Sequence, residues 1–194
     1  MIDRRWYELA DILVNYSTKV KKGERVFITM MELETFPLAK AVYSMVVKAG
    51  GLPFIEFQSA YLERDLMKFG NDDQISWINE MQSKGMEWAD VYIGLRGARN
   101  PNEFVDINAK NISSHKKSMG YISSMRNDLT RWVLIRVPNE SFAQQASTNY
   151  EDMMDFFFSA TLRDWEKEAV SWYKMREKFQ NANTVRITGK DTDI

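Results

Sequence analysis

The sequence predicts an α/β domain of three layers, a mainly parallel sheet of about five strands with helices on both faces. Three observations lead there. Short apolar runs rich in β-branched and aromatic residues alternate with longer segments of helical period. The first two runs are separated by about the length of a βαβ crossover. Of the 194 residues, 44% are hydrophobic and 27% charged, an ordinary globular balance that supports one sizeable core.

The elements follow in order. Trp6, Leu9, Ala10 and Leu13 share one face of a helix over residues 3–16, with Asp3 placed to cap it and Lys19, Lys21, Lys22 and Gly23 to stop it. Arg25–Thr29 reads as a buried strand. Thr35 as N-cap and Pro37 in the first turn open a helix carrying Leu38, Val42, Met45, Val46 and Ala49, ended by Gly50 and Gly51. Pro53–Phe57 is the second strand, followed by helices over Tyr61–Phe69 and Asp73–Lys84. Asp90–Gly94 is the third strand, Glu103–Ser124 is largely helical, and Trp132–Val137 is the fourth strand, stopped by Pro138. Helices over Glu140–Ala146, Tyr150–Leu162 and Trp165–Gln180 come next, the second with a capping-box spacing of Thr148 and Glu151. Thr184–Thr188 reads as a fifth strand, after which the sequence stops without a closing helix, as if at a domain boundary.

Composition narrows the function. A net charge of −1 gives no broad basic field, so nucleic acid and anionic membranes are not expected partners. No apolar run reaches the roughly 20 residues a spanning helix needs, and the opening Met1–Trp6 is charged rather than signal-like. With no cysteine there is no disulfide framework or thiolate site, which fits a cytoplasmic protein. A single histidine, His115, excludes HExxH and other multi-histidine metal sites. Its setting, Ser113-Ser114-His115-Lys116-Lys117, reads as a solvated helix surface. The loop after the first strand carries Glu32 and Glu34 and no glycine, so a dinucleotide fingerprint is absent. Those two acids lie at a strand's carboxyl end, where open α/β sheets bind ligands, although a loop facing solvent is the reading they favour. Glu151, Asp152 and Asp155 read as a solvated first helical turn. The aromatics Phe156, Phe157, Phe158, Trp165, Trp172, Tyr173 and Phe179 read as mostly core, with part left to face another domain or subunit. Arg96, Arg99 and Asn100 follow the third strand and are the candidate residues for lining a substrate cavity by holding a carboxylate. The alternative for this loop is pairing of its arginines with nearby acids.

Several segments taken in order resemble one family. Leu9–Ser17 with Val20–Val26 is similar to its opening helix and strand, and Pro37–Ala41 with Lys48–Pro53 to its first crossover. Trp88-Ala89-Asp90, Asn100 before Asp106, Trp132 before Pro138, Tyr150–Phe157 and Asp164-Trp165 follow, and Val185–Gly189 with Asp191-Thr192-Asp193 resembles the strand leading onward. The family is the aminopeptidase T/aminopeptidase S group of metallo-aminopeptidases. The resemblance implies a cytoplasmic, homodimeric parent enzyme that releases amino-terminal residues from peptide substrates. It implies two divalent ions (zinc, cobalt or manganese) that activate water and polarise the scissile carbonyl. The family's metal ligands lie downstream of this strand, so no catalytic or metal residue carries over. Residues 1–194 are then expected to be an amino-terminal domain whose partner is its own carboxyl-terminal catalytic domain. The alternative is a stand-alone α/β binding or scaffold module without peptidase activity.

Overall fold

A computed structural model describes residues 3–194; Met1 and Ile2 of the charged opening lie outside them. The sheet has four strands, β1 (Arg25–Met31), β2 (Leu52–Gln58), β3 (Val91–Arg96) and β4 (Arg131–Arg136), all parallel in the order β2-β1-β3-β4. Parallel pairing needs crossovers. From β1 the chain passes through α2 (Phe36–Lys48) outward to β2, and from β3 through α6 (Ala109–Leu129) outward to β4. The two crossovers therefore diverge between β1 and β3, which makes that gap the topological switch point.

Alternate strand residues build two unlike faces. Val26, Ile28 and Met30 of β1, with Val91, Ile93 and Leu95 of β3, pack against Leu9 and Leu13, against Leu38, Val42 and Val46 of α2, and against Met154 and Phe158. Leu9 belongs to α1 (Arg5–Asp11), which runs into a π-helical turn, Ile12–Ser17, that carries Leu13. Met154 and Phe158 belong to α8 (Tyr150–Thr161). The opposite face offers Phe27 and Tyr92 to Met86 of α5 (Glu80–Trp88) and Ile122 of α6. Helix α5 lies close on the sheet there, since a Cβ on Gly85 would fall 2.9 Å from the Phe27 ring.

The three-layer α/β class agrees with the sequence, but the fifth strand does not join the sheet. Thr188–Gly189 (β5) pairs only with Thr192–Asp193 (β6), as a two-residue antiparallel hairpin. The cause lies in α9 (Trp165–Gln180), which buries none of its residues and carries the chain away for 16 residues, about 24 Å. Three smaller expectations also change. Residues 73–84 are not one helix but α4 (Asp72–Ser76) and α5, because Asn79 accepts hydrogen bonds from the amides of Met81 and Gln82 and starts a new helix. Helix α3 (Ala60–Phe69) stands where expected. Helix α6 begins at Ala109 and runs to Leu129, and Asn149 rather than Thr148 caps α8 by accepting from the Asp152 amide.

Candidate functional site

Beneath α5 and α6, on the sparsely packed face, lies a cavity of about 450 Å³. Its floor is Phe27, Thr29 and Tyr92; its roof includes Met86, Met119 and Ile122; its mouth opens at the carboxyl ends of the strands, beside Met31, Arg96 and Gly97. The position is the crevice that the switch point predicts. Gly97 keeps the two diverging loops in contact, because a Cβ there would sit 2.8 Å from the Met31 carbonyl oxygen and 2.9 Å from Thr35 Cγ2.

Charges of opposite sign line opposite sides. Arg96 and Arg136 occupy the same register position at the ends of β3 and β4, and both line the cavity with Lys116 of α6. Glu56 of β2 and Glu63 of α3 line the other side. Glu56 accepts from Gln58 Nε2 at 2.9 Å. Burial first, and the charge of Glu32 second, raise the Glu63 carboxyl above its ordinary pKa. Beside Glu63 sits His115, 8% exposed, with Nε2 lying 3.9 Å from Glu63 Oε2 and without a hydrogen-bond partner among the described residues. Burial lowers its pKa, and a hydrogen bond to the Ile75 backbone opposes that only in part.

Here the structure overturns the solvated reading of His115. Helix α6 turns His115, Ser118 and Ile122 inward, and the stripe looks polar in sequence because part of what it meets is polar: Ser118 Oγ donates to the Ser76 carbonyl at 2.8 Å. The solvated reading of Glu32 fails as well. Glu32 is 2% exposed, at φ 65°, and accepts from the Ala60 amide at 2.6 Å and from Ser59 Oγ, which anchors the start of α3. A buried carboxylate holding helix donors is a structural part, so Glu32 anchors the start of the helix that carries Glu63. The signal that could have found this set is the carboxyl-end position of Glu32 taken with the 115, 118, 122 spacing in α6.

The three candidates from the sequence separate. Arg96 closes β3 and lines the cavity. Arg99 turns to the other side of the switch point, where its Nε meets Glu34 Oε1 at 2.7 Å and its guanidinium lies 5.7 Å from the Tyr61 ring centroid. Asn100 is exposed, its amide donating to Glu103 Oε2 at 3.1 Å. Glu151, Asp152 and Asp155 are exposed as expected, Asp155 taking an ion pair from Arg5. Among the described residues no three His, Cys, Asp or Glu side chains come together to hold a metal ion, so a resident metal centre does not fit this donor set. No helix among them is long and apolar enough to cross a membrane.

Comparison with known proteins places the chain. A family model described as thermophilic metalloprotease (M29) matches residues 2–188. The chain belongs to this family. Among solved structures, wild-type AmpT from Thermus thermophilus shares the fold at TM-score 0.59 and 13% identity, over 72% of this chain and 37% of that one. The chain thus spans little more than a third of AmpT's length. The CurK enoyl reductase is similar at TM-score 0.31 and 13% identity, over 81% of this chain and 50% of that one. A putative LacI-family transcription repressor from Corynebacterium glutamicum gives 0.30 and 9%, over 69% and 60%. Neither of these two carries an argument. No curated protein matches this chain.

Proposed function

We propose that this chain is the non-catalytic amino-terminal α/β domain of a metal-dependent aminopeptidase, with the metal centre in a carboxyl-terminal catalytic domain of the same protein. The observation that carries the reading is the match to the metalloprotease family over residues 2–188, in a chain spanning 37% of AmpT. Helix α9 supports it. Val170, Trp172, Tyr173, Met175 and Phe179 are all more than half exposed, which overturns the reading of these aromatics as mostly core. An apolar surface of that extent marks a contact with another folded body, here the catalytic domain. Phe158 alone of the aromatic set is fully buried.

On this reading Arg96, Arg99 and Asn100 form part of the wall of a peptide-accepting cavity in a cytoplasmic homodimer, and two divalent ions (zinc, cobalt or manganese) act downstream. Lewis-acid activation of water is what such ions supply; the residues of this domain bind and orient. The test is hydrolysis of amino-terminal residues from peptides in the presence of Zn²⁺, Co²⁺ or Mn²⁺, by this chain and by the longest reading frame containing it. Activity confined to the longer protein is the expected result. Metal-dependent activity in the 194-residue chain overturns the reading, and activity in neither favours a stand-alone binding module.

A further inference from the structure

The cavity beneath α5 and α6 has a charge arrangement that the fold does not need. Arg96 and Arg136 are adjacent across the β3–β4 ladder, where like charges repel. Neither guanidinium forms an ion pair among the described residues, and Arg136 only lies 5.9 Å from the Phe142 ring centroid. Two unneutralised guanidiniums at a strand terminus form a fork suited to a carboxylate. Among the described residues, Glu56 and Glu63 across the cavity are likewise without a cationic partner other than His115, whose pKa burial lowers. The lining also includes the apolar Phe27, Met86, Met119 and Ile122, with Thr29 and Tyr92, whose hydroxyls hydrogen-bond each other at 2.8 Å. His115 Nε2, buried and unsatisfied beside this space, leaves a hydrogen-bonding site unused.

We propose that this cavity is a binding site for a small zwitterion of the α-amino acid class, with its carboxylate on Arg96 and Arg136, its ammonium group toward Glu56 and Glu63, and an apolar side chain over Phe27, Met86 and Ile122. The volume, about 450 Å³, falls within the roughly 300–1,000 Å³ of small-molecule sites. A simple anion would leave the two carboxylates unpaired, and a simple cation would leave the two arginines so. A zwitterion satisfies both and adds no net charge to the site. The proposal goes beyond the peptidase reading, since it concerns binding by this domain's own residues and needs no metal and no catalysis.

The experiment is a titration of the 194-residue chain with L-leucine, followed by calorimetry and by amide NMR shifts. N-acetyl-L-leucine, which lacks the ammonium, and L-leucinamide, which lacks the carboxylate, serve as comparison probes. L-leucine is expected to bind saturably, with shifts centred on α5, α6 and the ends of β3 and β4. Each singly charged analogue is expected to bind at least about tenfold more weakly, the loss of one charge-assisted contact. The Arg96→Ala/Arg136→Ala double variant, altered only at exposed positions, is expected to lose a similar factor or more. Absence of saturable L-leucine binding overturns the proposal. So does N-acetyl-L-leucine or L-leucinamide binding as tightly as L-leucine, or an unchanged affinity in the double variant. Should that variant fail to fold, the analogue comparison on the parent protein decides alone. None of these results depends on whether the longer protein hydrolyses peptides.

Discussion

The two faces of the sheet come from alternate residues of the same strands, yet they are packed very differently. Among the described residues, nineteen buried hydrophobic ones form one continuous cluster on the α1, α2 and α8 side, and five do on the α5 and α6 side. Ile28 and Phe27 are neighbours in β1 and both are buried, but Ile28 lies within the continuous cluster, whereas Phe27 borders an open cavity. A close-packed face supplies most of the free energy of burial. That leaves the other face able to keep a cavity with unpaired arginines, a desolvated glutamate and a histidine nitrogen without a partner. Close packing and open space are thus divided between the two sides of one sheet.

The largest test of this division compares two isoleucines. Ile93→Ala, in the continuous cluster, is expected to cost about 2–5 kcal/mol, because the surrounding helices cannot close the hole. Ile122→Ala, beside space that already exists, is expected to fall at about 2 kcal/mol or below. Urea unfolding measures both, and equal losses would break the contrast between the faces.

A smaller effect is read in the pH dependence of stability, to which two groups of the cavity face should contribute. His115 has its folded pKa lowered below the ordinary 6.5 by burial, so the unfolded chain binds the proton more readily. Stability should therefore decline as pH falls below 6.5, and His115→Gln should remove that part of the slope. Glu63 has its folded pKa raised above the ordinary 4.5, so its ionisation works against folding as pH rises through the folded value. Glu63→Gln should then stabilise the protein at neutral pH, with the gain vanishing below 4.5. Parallel pH–stability curves for parent and variants would show that neither group is desolvated in the folded protein.

The packed face was legible in the sequence and the cavity face was not, for the same reason. Leu38, Val42 and Val46 recur at helical spacing because they meet an apolar surface, so periodicity reports them. Helix α6 meets a partly polar surface, so His115 and Ser118 look like solvent positions within a lysine- and serine-rich stretch. Glu32 was hidden in the same way: its partners are the Ala60 amide and Ser59, 28 and 27 residues along the chain, a pairing that only the β1–β2 register brings about. Strand positions were readable to within a residue or two. Sheet membership of Thr184–Thr188 was not, since alternation shows a capacity to pair and says nothing of where α9 delivers the chain. Of the candidate site, Arg96 is legible from its place just past the expected third strand, while its partner Arg136 sits at the end of a different strand and is joined to it only by register.

The most direct test of the account is metal retention. Equilibrium dialysis of the 194-residue chain and of the longest reading frame containing it, against Zn²⁺, Co²⁺ and Mn²⁺, would be read by elemental analysis. The account predicts stoichiometric metal in the longer protein and none above background in this chain. One or two equivalents held by the 194 residues alone would contradict it and would place a metal centre among the carboxylates around His115.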